Sequence, residues 1–272
     1  MWWRDFVLLV GLLFGFPPVG TTQPINVPVC HGQAVQAGLL ICEAPGAEQL
    51  MVSGLDGEHQ RFVPVNEDGR ATIGLRQDEA LSLVIRISTE ADAATLVDLA
   101  ERDDPLRTIE GFDCDKVDAR TPEQKAHAGE SWVKKQAAFG SFSTGPGATT
   151  GFLPPADGPM SSPFGPARKY IGVGKDGTPC EKTSIHRGYD LAVPIGTPIT
   201  APAGGTVSLG DPDLYYEGGT VFLDHGDGLV SVFMHMSQVD VTAGQVVTAG
   251  ERLGASGNSG RTTGPHLHWA VK

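Results

Sequence analysis

The chain is poor in basic residues: it has 20 Lys and Arg against 32 Asp and Glu, a formal net charge of −12. This surplus of negative charge argues against nucleic acid or an anionic membrane surface as a partner. There is no Cys-x-x-Cys pair, so a cysteine-based metal site is not favoured. The sequence also lacks a His-Glu-x-x-His helix signature and a Gly-x-Ser-x-Gly elbow, which argues against two common hydrolase types.

Apolar runs are short, and the longest stands near the N-terminus, from Phe6 to Phe16. Followed by Pro17, Pro18 and small residues, it has the order of a secretory signal peptide, predicted over residues 1–22. The run is too short to span a bilayer. The charged region expected at the start of a signal peptide is weak, because Asp5 offsets the charge of Arg4. The segment could therefore instead be an uncleaved N-terminal anchor or a buried N-terminal strand or helix. The signal predicts an exported protein of the periplasm or cell envelope.

Only four cysteines are present. Cys30 and Cys42 flank a predicted β-hairpin and are a candidate disulfide, which leaves Cys114 and Cys180 as a second pair. Export would make both bridges stable. Four cysteines permit three pairings, and the sequence does not choose among them.

Glycine and proline are abundant, at 36 and 20 residues, and are spread between short apolar runs. This pattern predicts an all-β protein with many tight turns. We expect an N-terminal β-sandwich-like domain at 25–112, a helical segment and linker at 113–151, and a C-terminal antiparallel β-sheet domain at 152–272. Thr121 as N-cap, Pro122 at N1 and Gln124 at N3 predict a helix to about Ala138. Nothing in the sequence indicates an oligomeric state.

Five of the eight histidines lie at or after residue 186. His266 and His268 stand two apart on a predicted strand, so both side chains face the same way. Catalytic zinc is typically held by three His or carboxylate ligands, which His186, Asp190 and one histidine of this strand would provide. The other strand histidine and His235 would handle protons.

At these residues the chain resembles the lysostaphin-type, or LytM-like, family of zinc metallopeptidases, which cut peptidoglycan peptides. The resemblance covers about residues 161–272 and rests on SSPFGPAR, HRGYDLAVPIGTPITAPAGGTV, HGDGLVSVFMHM and GQVVTAGERLGASGNSGRTTGPHLHW. It implies that residues 152–272 are a metallopeptidase domain binding Zn²⁺ and that peptidoglycan peptides are the substrate. The implied metal ligands are His186, Asp190 and His268, and the implied catalytic residues are His235 and His266.

The chain departs from the family pattern at several points. Phe233 and Met236 replace the commoner Tyr and Leu around His235, and both keep an apolar character. The inserted stretch IGVGKDGTPCEKTS, residues 171–184, predicts a loop near the cleft that affects substrate choice. The chain also stops four residues after His268, where family members usually continue into a further strand, so we expect a fragment of a longer protein.

The sequence therefore predicts a zinc metalloendopeptidase that hydrolyses peptide cross-links of peptidoglycan. The alternative is a non-catalytic cell-wall regulator that activates other wall hydrolases, since the family includes members that have lost the metal. A third hypothesis is an enzyme inhibited by its own N-terminal domain, with a hinge at 140–151. We further expect His225 in a turn or behind the ligands, Trp269 packed in the core, and Arg168 at the substrate or supporting the cleft.

Overall fold

A computed structural model describes residues 27–89, 93–114, 118–140 and 151–272, together with residues 143, 145 and 147. The predicted signal segment and most of the predicted hinge lie outside this set. The described residues form twenty strands and one helix, which confirms the all-β class. No helix among them is both long enough and apolar enough to cross a membrane.

Two sheets form the N-terminal unit and enclose one apolar core. Their strand orders are β1-β2-β5 and β4-β3-β6-β7. Alternate residues of β6 are buried, as expected for a strand with one face on a core. A disulfide joins Cys30 and Cys42, which face each other across β1 and β2. The strands are β1 (Val29–Gly32), β2 (Leu39–Glu43), β3 (Gln49–Gly54), β4 (Arg61–Pro64), β5 (Arg70–Gly74), β6 (Ser82–Ile87) and β7 (Thr95–Asp98).

Strand β8 (Arg107–Asp113) leaves this unit and pairs with a strand that is distant in the sequence. It runs parallel to β10 (Ala167–Val173), which also pairs with β11 (Pro179–Ile185). The inserted stretch is therefore a β-hairpin for much of its length, and the expectation of a loop was wrong. A second disulfide, between Cys114 and Cys180, fixes the end of β8 to this hairpin.

Helix α1 (Pro122–Gly140) begins with a capping box. The Gln124 amide donates to Thr121 Oγ1 at 3.2 Å, and the Thr121 amide donates to Gln124 Oε1 at 3.0 Å. The predicted helix start is thus confirmed. Near its end, the ring of Phe139 lies 4.8 Å from that of Phe222, which attaches the helix to the C-terminal sheet.

The C-terminal unit contains a seven-stranded sheet of order β18-β14-β15-β16-β20-β12-β9 and a smaller sheet of order β13-β19-β17. One core includes residues of both sheets, among them Ile199, Phe233 and Trp269. The expectation that Trp269 packs is confirmed. The strands are β9 (Met160–Ser162), β12 (Tyr189–Leu191), β13 (Pro198–Thr200), β14 (Gly205–Leu214), β15 (Gly218–Gly226), β16 (Leu229–Met236), β17 (Gln238–Val239), β18 (Val246–Val247), β19 (Arg252–Ala255) and β20 (Leu267–Val271).

His225 lies inside strand β15, and both of its ring nitrogens form hydrogen bonds within the protein. Its Nδ1 is 2.8 Å from the Gly204 carbonyl oxygen, which can only accept, so Nδ1 carries the proton. Nε2 then accepts from the Ser231 hydroxyl at 2.8 Å. Burial lowers the pKa of His225, since the charged ring would lose its hydration. The residue is therefore a neutral, buried imidazole.

This neutral imidazole predicts an acid-sensitive contribution to stability. Below about pH 6.5 the unfolded chain protonates His225 while the folded chain does not, so stability falls by up to about 1.4 kcal/mol per pH unit from this group. Urea unfolding at pH 7.5, 6.5 and 5.5 would measure the slope. We expect a smaller slope in His225→Gln, and equal slopes in the variant and the wild type would contradict the assignment.

Two phenylalanines provide a matched test of the core. Phe222 is fully buried, whereas Phe62 is 55% exposed. We expect Phe222→Ala to lower the free energy of unfolding by about 3–5 kcal/mol. Phe62→Ala should change it by no more than about 0.5 kcal/mol. Chemical denaturation of the two variants would test the difference, and similar losses would contradict the assigned core.

Candidate metal centre

The structure brings His186, Asp190 and His268 together. One ligand atom from each lies within 4.8 Å of the others, and all three residues are buried. Asp190 on β12 stands directly opposite His268 on β20, so both side chains project from the same face of the sheet. The neighbouring pair, Tyr189 and Trp269, projects to the other face and packs in the core.

The backbone between His186 and Asp190 passes very close to β20. A Cβ atom on Gly188 would lie 2.5 Å from His268 Nε2 and 2.6 Å from the Trp269 carbonyl oxygen. Only glycine fits this approach. The glycine of the His-Arg-Gly-Tyr-Asp run is therefore needed for the site to close.

The distances within the group suit a small cation. Asp190 Oδ1 is 3.0 Å from His186 Nε2 and 2.9 Å from His268 Nδ1, and the two nitrogens are 3.0 Å apart. Two ligands bonded at about 2.0–2.1 Å to a tetrahedral metal ion would be roughly 3.3 Å apart. The donor set and its spacing therefore fit a metal ion.

The position of the ring proton on His186 also favours a bound cation. His186 Nδ1 is 2.7 Å from the Pro163 carbonyl oxygen, so it carries the ring proton and Nε2 presents a lone pair. That lone pair faces the carboxylate of Asp190 and Nδ1 of His268. His268 Nδ1 can carry a proton and donate to Asp190 Oδ1, but His186 Nε2 has no proton to share, so a cation bound among the three atoms would stabilise the group.

Arg168 supports the carboxylate from behind. Its Nη2 donates to Asp190 Oδ2 at 2.7 Å and to Ser162 Oγ at 2.8 Å. Burial alone would raise the pKa of Asp190, but interactions with the histidines of the group outweigh burial and hold the pKa well below its usual range. Asp190 is thus ionised, and Arg168 leaves Oδ1 directed at the histidines.

A β-bulge directs His235 into the same cleft. The pairing of β15 with β16 shifts register here, so one more residue of β16 than of β15 lies between the matched pairs. His235 has a positive φ of 64°, which is uncommon for a residue other than glycine. As a result Phe233 and Met236, three positions apart, both reach the core, and the intervening His235 faces the cleft.

His235 and His266 are both oriented by backbone carbonyl groups. Nδ1 of His235 donates to the Ser259 oxygen at 2.9 Å, and Nδ1 of His266 donates to the Gly264 oxygen at 2.8 Å. Burial lowers the pKa of His235 to about 3. The two rings lie 4.8 Å apart, and His266 Nε2 is 3.6 Å from Asp190 Oδ1. The Nδ1 atom of each ring is therefore held by the backbone, and both rings line the cleft beside the metal group. His266 itself lies just before β20, which begins at Leu267.

A cleft of about 470 Å³ lies in front of these groups. One wall comes from β8 and β10, including Arg107, Ile109 and Tyr170, and another from the loop at 261–266. The part played by β8 could not be foreseen from the sequence, where it precedes the ligands by about 80 residues; only Cys114 hinted at a link. The remaining histidines among the described residues, His31, His59 and His127, do not line the cleft.

We expect the metal group to bind one divalent ion per chain and to depend on the charge of Asp190. Asp190→Asn keeps the shape of the side chain but removes the charge, so metal affinity should fall at least about tenfold. Competition with a chromophoric chelator would measure the affinity. Asp240→Asn, which breaks an exposed ion pair with Arg252, is the matched control. Unchanged affinity in Asp190→Asn would refute the assigned centre.

Comparison with known proteins places the site in context. Residues 184–272 match Peptidase family M23. Over 149 residues the chain is 38% identical to an uncharacterized metalloprotease of Haemophilus influenzae, covering 52% of this chain and 29% of that protein. Over 91 residues it is 40% identical to the peptidoglycan DD-endopeptidase ShyA of Vibrio cholerae, covering 34% of this chain and 21% of that protein. The chain thus spans less than a third of these relatives.

A solved structure that is similar over most of the chain gives the same family. It is a Pseudomonas aeruginosa protein assigned to peptidase M23, with a TM-score of 0.60 and 31% sequence identity. The similarity covers 88% of this chain and 90% of that one, so it includes the N-terminal unit as well as the candidate site.

Proposed function

Because the chain belongs to peptidase family M23, we propose that it is a zinc-dependent endopeptidase that hydrolyses peptide cross-links of peptidoglycan. The observation that carries the proposal is the buried group of His186, Asp190 and His268, with His235 and His266 beside it at a cleft. Two imidazole nitrogens and one carboxylate oxygen are a common ligand set of catalytic zinc. The similarity to a peptidoglycan DD-endopeptidase supports the substrate class.

Contacts within the protein orient the proposed ligands. His186 would bind through Nε2, because Nδ1 donates to Pro163, whereas His268 would bind through Nδ1. Asp190 would bind through Oδ1, since Arg168 occupies Oδ2. When bound, Zn²⁺ acts as a Lewis acid that polarises a carbonyl oxygen and lowers the pKa of water to near 7.

His235 and His266 would move the protons. Their Nδ1 atoms are committed to backbone oxygens, so Nε2 is the atom that accepts a proton from the attacking water. The protonated ring can donate a hydrogen bond to the oxyanion of the scissile carbonyl. It then returns its proton to the leaving nitrogen, which departs as an amine.

Two disulfides support the further proposal that the protein acts after export, in the periplasm or cell envelope. Cys30–Cys42 and Cys114–Cys180 account for all four cysteines. Disulfides persist in oxidising compartments and are rare in the cytosol. Peptidoglycan lies in the same compartment as such a protein.

Substitutions can distinguish the histidines that bind the metal from those that transfer protons. We expect His266→Ala and His235→Ala each to reduce peptide release from purified peptidoglycan by about 10²–10⁴-fold, because each removes a proton-transfer group. Zinc content should stay at one per chain in both. His268→Ala should lose zinc as well as activity. His127→Ala, at a half-buried helix residue outside the cleft, is the control and should match the wild type.

Chromatography of the released peptides and elemental analysis provide the two measurements. Full activity in His266→Ala would contradict the assigned role. A zinc-loaded wild type that releases nothing would contradict the hydrolase itself and favour a regulatory protein that acts on other wall hydrolases.

A further inference from the structure

The cleft carries positive charge although the protein as a whole is acidic. Its lining contains three arginines, Arg107, Arg168 and Arg261, and a single acidic residue, Asp190. The net charge of the chain is −12, so this local surplus is opposite to the average. Asp190 is already bonded to Arg168. Two guanidinium groups thus face the cleft with no acidic partner among the described residues.

Arg261 is held in place by aromatic rings. Its guanidinium carbon lies 5.1 Å from the centre of the Tyr216 ring and 5.8 Å from that of Tyr170. Its amide donates to the Tyr216 carbonyl oxygen at 2.7 Å. Cation–π contacts orient a guanidinium but leave its N–H donors free to bind an anion. The same loop continues to the proposed catalytic His266, so Arg261 lies on the reaction side of the cleft.

Arg107 approaches the cleft from the other wall. It stands opposite Arg168 in the parallel pairing of β8 with β10, and its side chain is exposed. Arg168 is neutralised by Asp190, whereas Arg107 is not. Pairing with β10 holds β8 at Arg107, and the disulfide between Cys114 and Cys180 holds its other end.

We propose that Arg261, assisted by Arg107, binds a carboxylate of the substrate, so that the cleft selects peptides with a free carboxylate close to the scissile amide. This specificity rests on the proposed endopeptidase function. The two oxygens of a carboxylate match the paired N–H donors of a guanidinium, and such charge-assisted pairs are stronger than neutral hydrogen bonds. Arg261 makes the main contact because the rings of Tyr170 and Tyr216 orient its guanidinium group. Arg107 adds positive charge to the cleft.

Binding tests this proposal independently of catalysis. The probes are two cross-linked peptides of one sequence, with carboxylates either free or converted to primary amides. In the His266→Ala background, where hydrolysis should be at least about 10²-fold slower, calorimetry should give a Kd about 10- to 100-fold lower for the carboxylate peptide. Adding Arg261→Gln should abolish most of this preference, and Arg107→Gln should reduce it. Arg252→Gln, outside the cleft, should leave it unchanged.

Hydrolysis by the protein with His266 intact then separates the two proposals. Arg261→Gln should raise KM for the carboxylate peptide and leave KM for the amide peptide nearly constant, with zinc content unchanged. Equal affinity of the two peptides would overturn the role of the arginines while leaving the endopeptidase standing. Charge-selective binding without hydrolysis of either peptide by the zinc-loaded wild type would support the arginines and overturn the endopeptidase.

Discussion

The site depends on one buried carboxylate, that of Asp190. Its Oδ1 faces His186 and His268, and its Oδ2 accepts from Arg168. A buried charge without compensation costs several kcal/mol, so the surroundings must supply positive charge or donors. Arg168 provides part of that compensation, and a bound metal ion would complete it. The pairing of β12 with β20 is what brings the carboxylate to the histidines.

The segments that surround this carboxylate come from distant parts of the chain. The parallel pairing of β8 with β10 builds one wall of the cleft from residues that precede helix α1. The N-terminal unit also contacts the loop that orients His186: Gln77 donates to the Gly165 carbonyl oxygen, and Arg102 donates to that of Phe164. Pro163 comes just before Phe164 and Gly165 in the sequence, and its carbonyl oxygen accepts the hydrogen bond from His186 Nδ1. The two units are thus joined next to the metal group.

Local patterns accounted for much of what could be predicted. Alternation and turn residues gave the all-β class, and Thr121 with Gln124 marked the start of the helix, because these signals act over a few residues. The parallel placement of β8 is a long-range pairing that no local pattern encodes. The bulge at His235 is equally hidden: strict alternation would put His235 on the same face as Phe233, whereas a positive φ rotates it into the cleft. The approach at Gly188 depends on tertiary contact in the same way.

Anomalous diffraction at the zinc absorption edge, from crystals grown with zinc, tests the central claim most directly. We predict one strong peak per chain, in contact with His186 Nε2, Asp190 Oδ1 and His268 Nδ1, with His235 and His266 nearby but not bound. A peak held by His235 or His266 in place of one of these ligands would contradict the assignment of roles. The absence of any peak at Asp190 would contradict the metal centre itself.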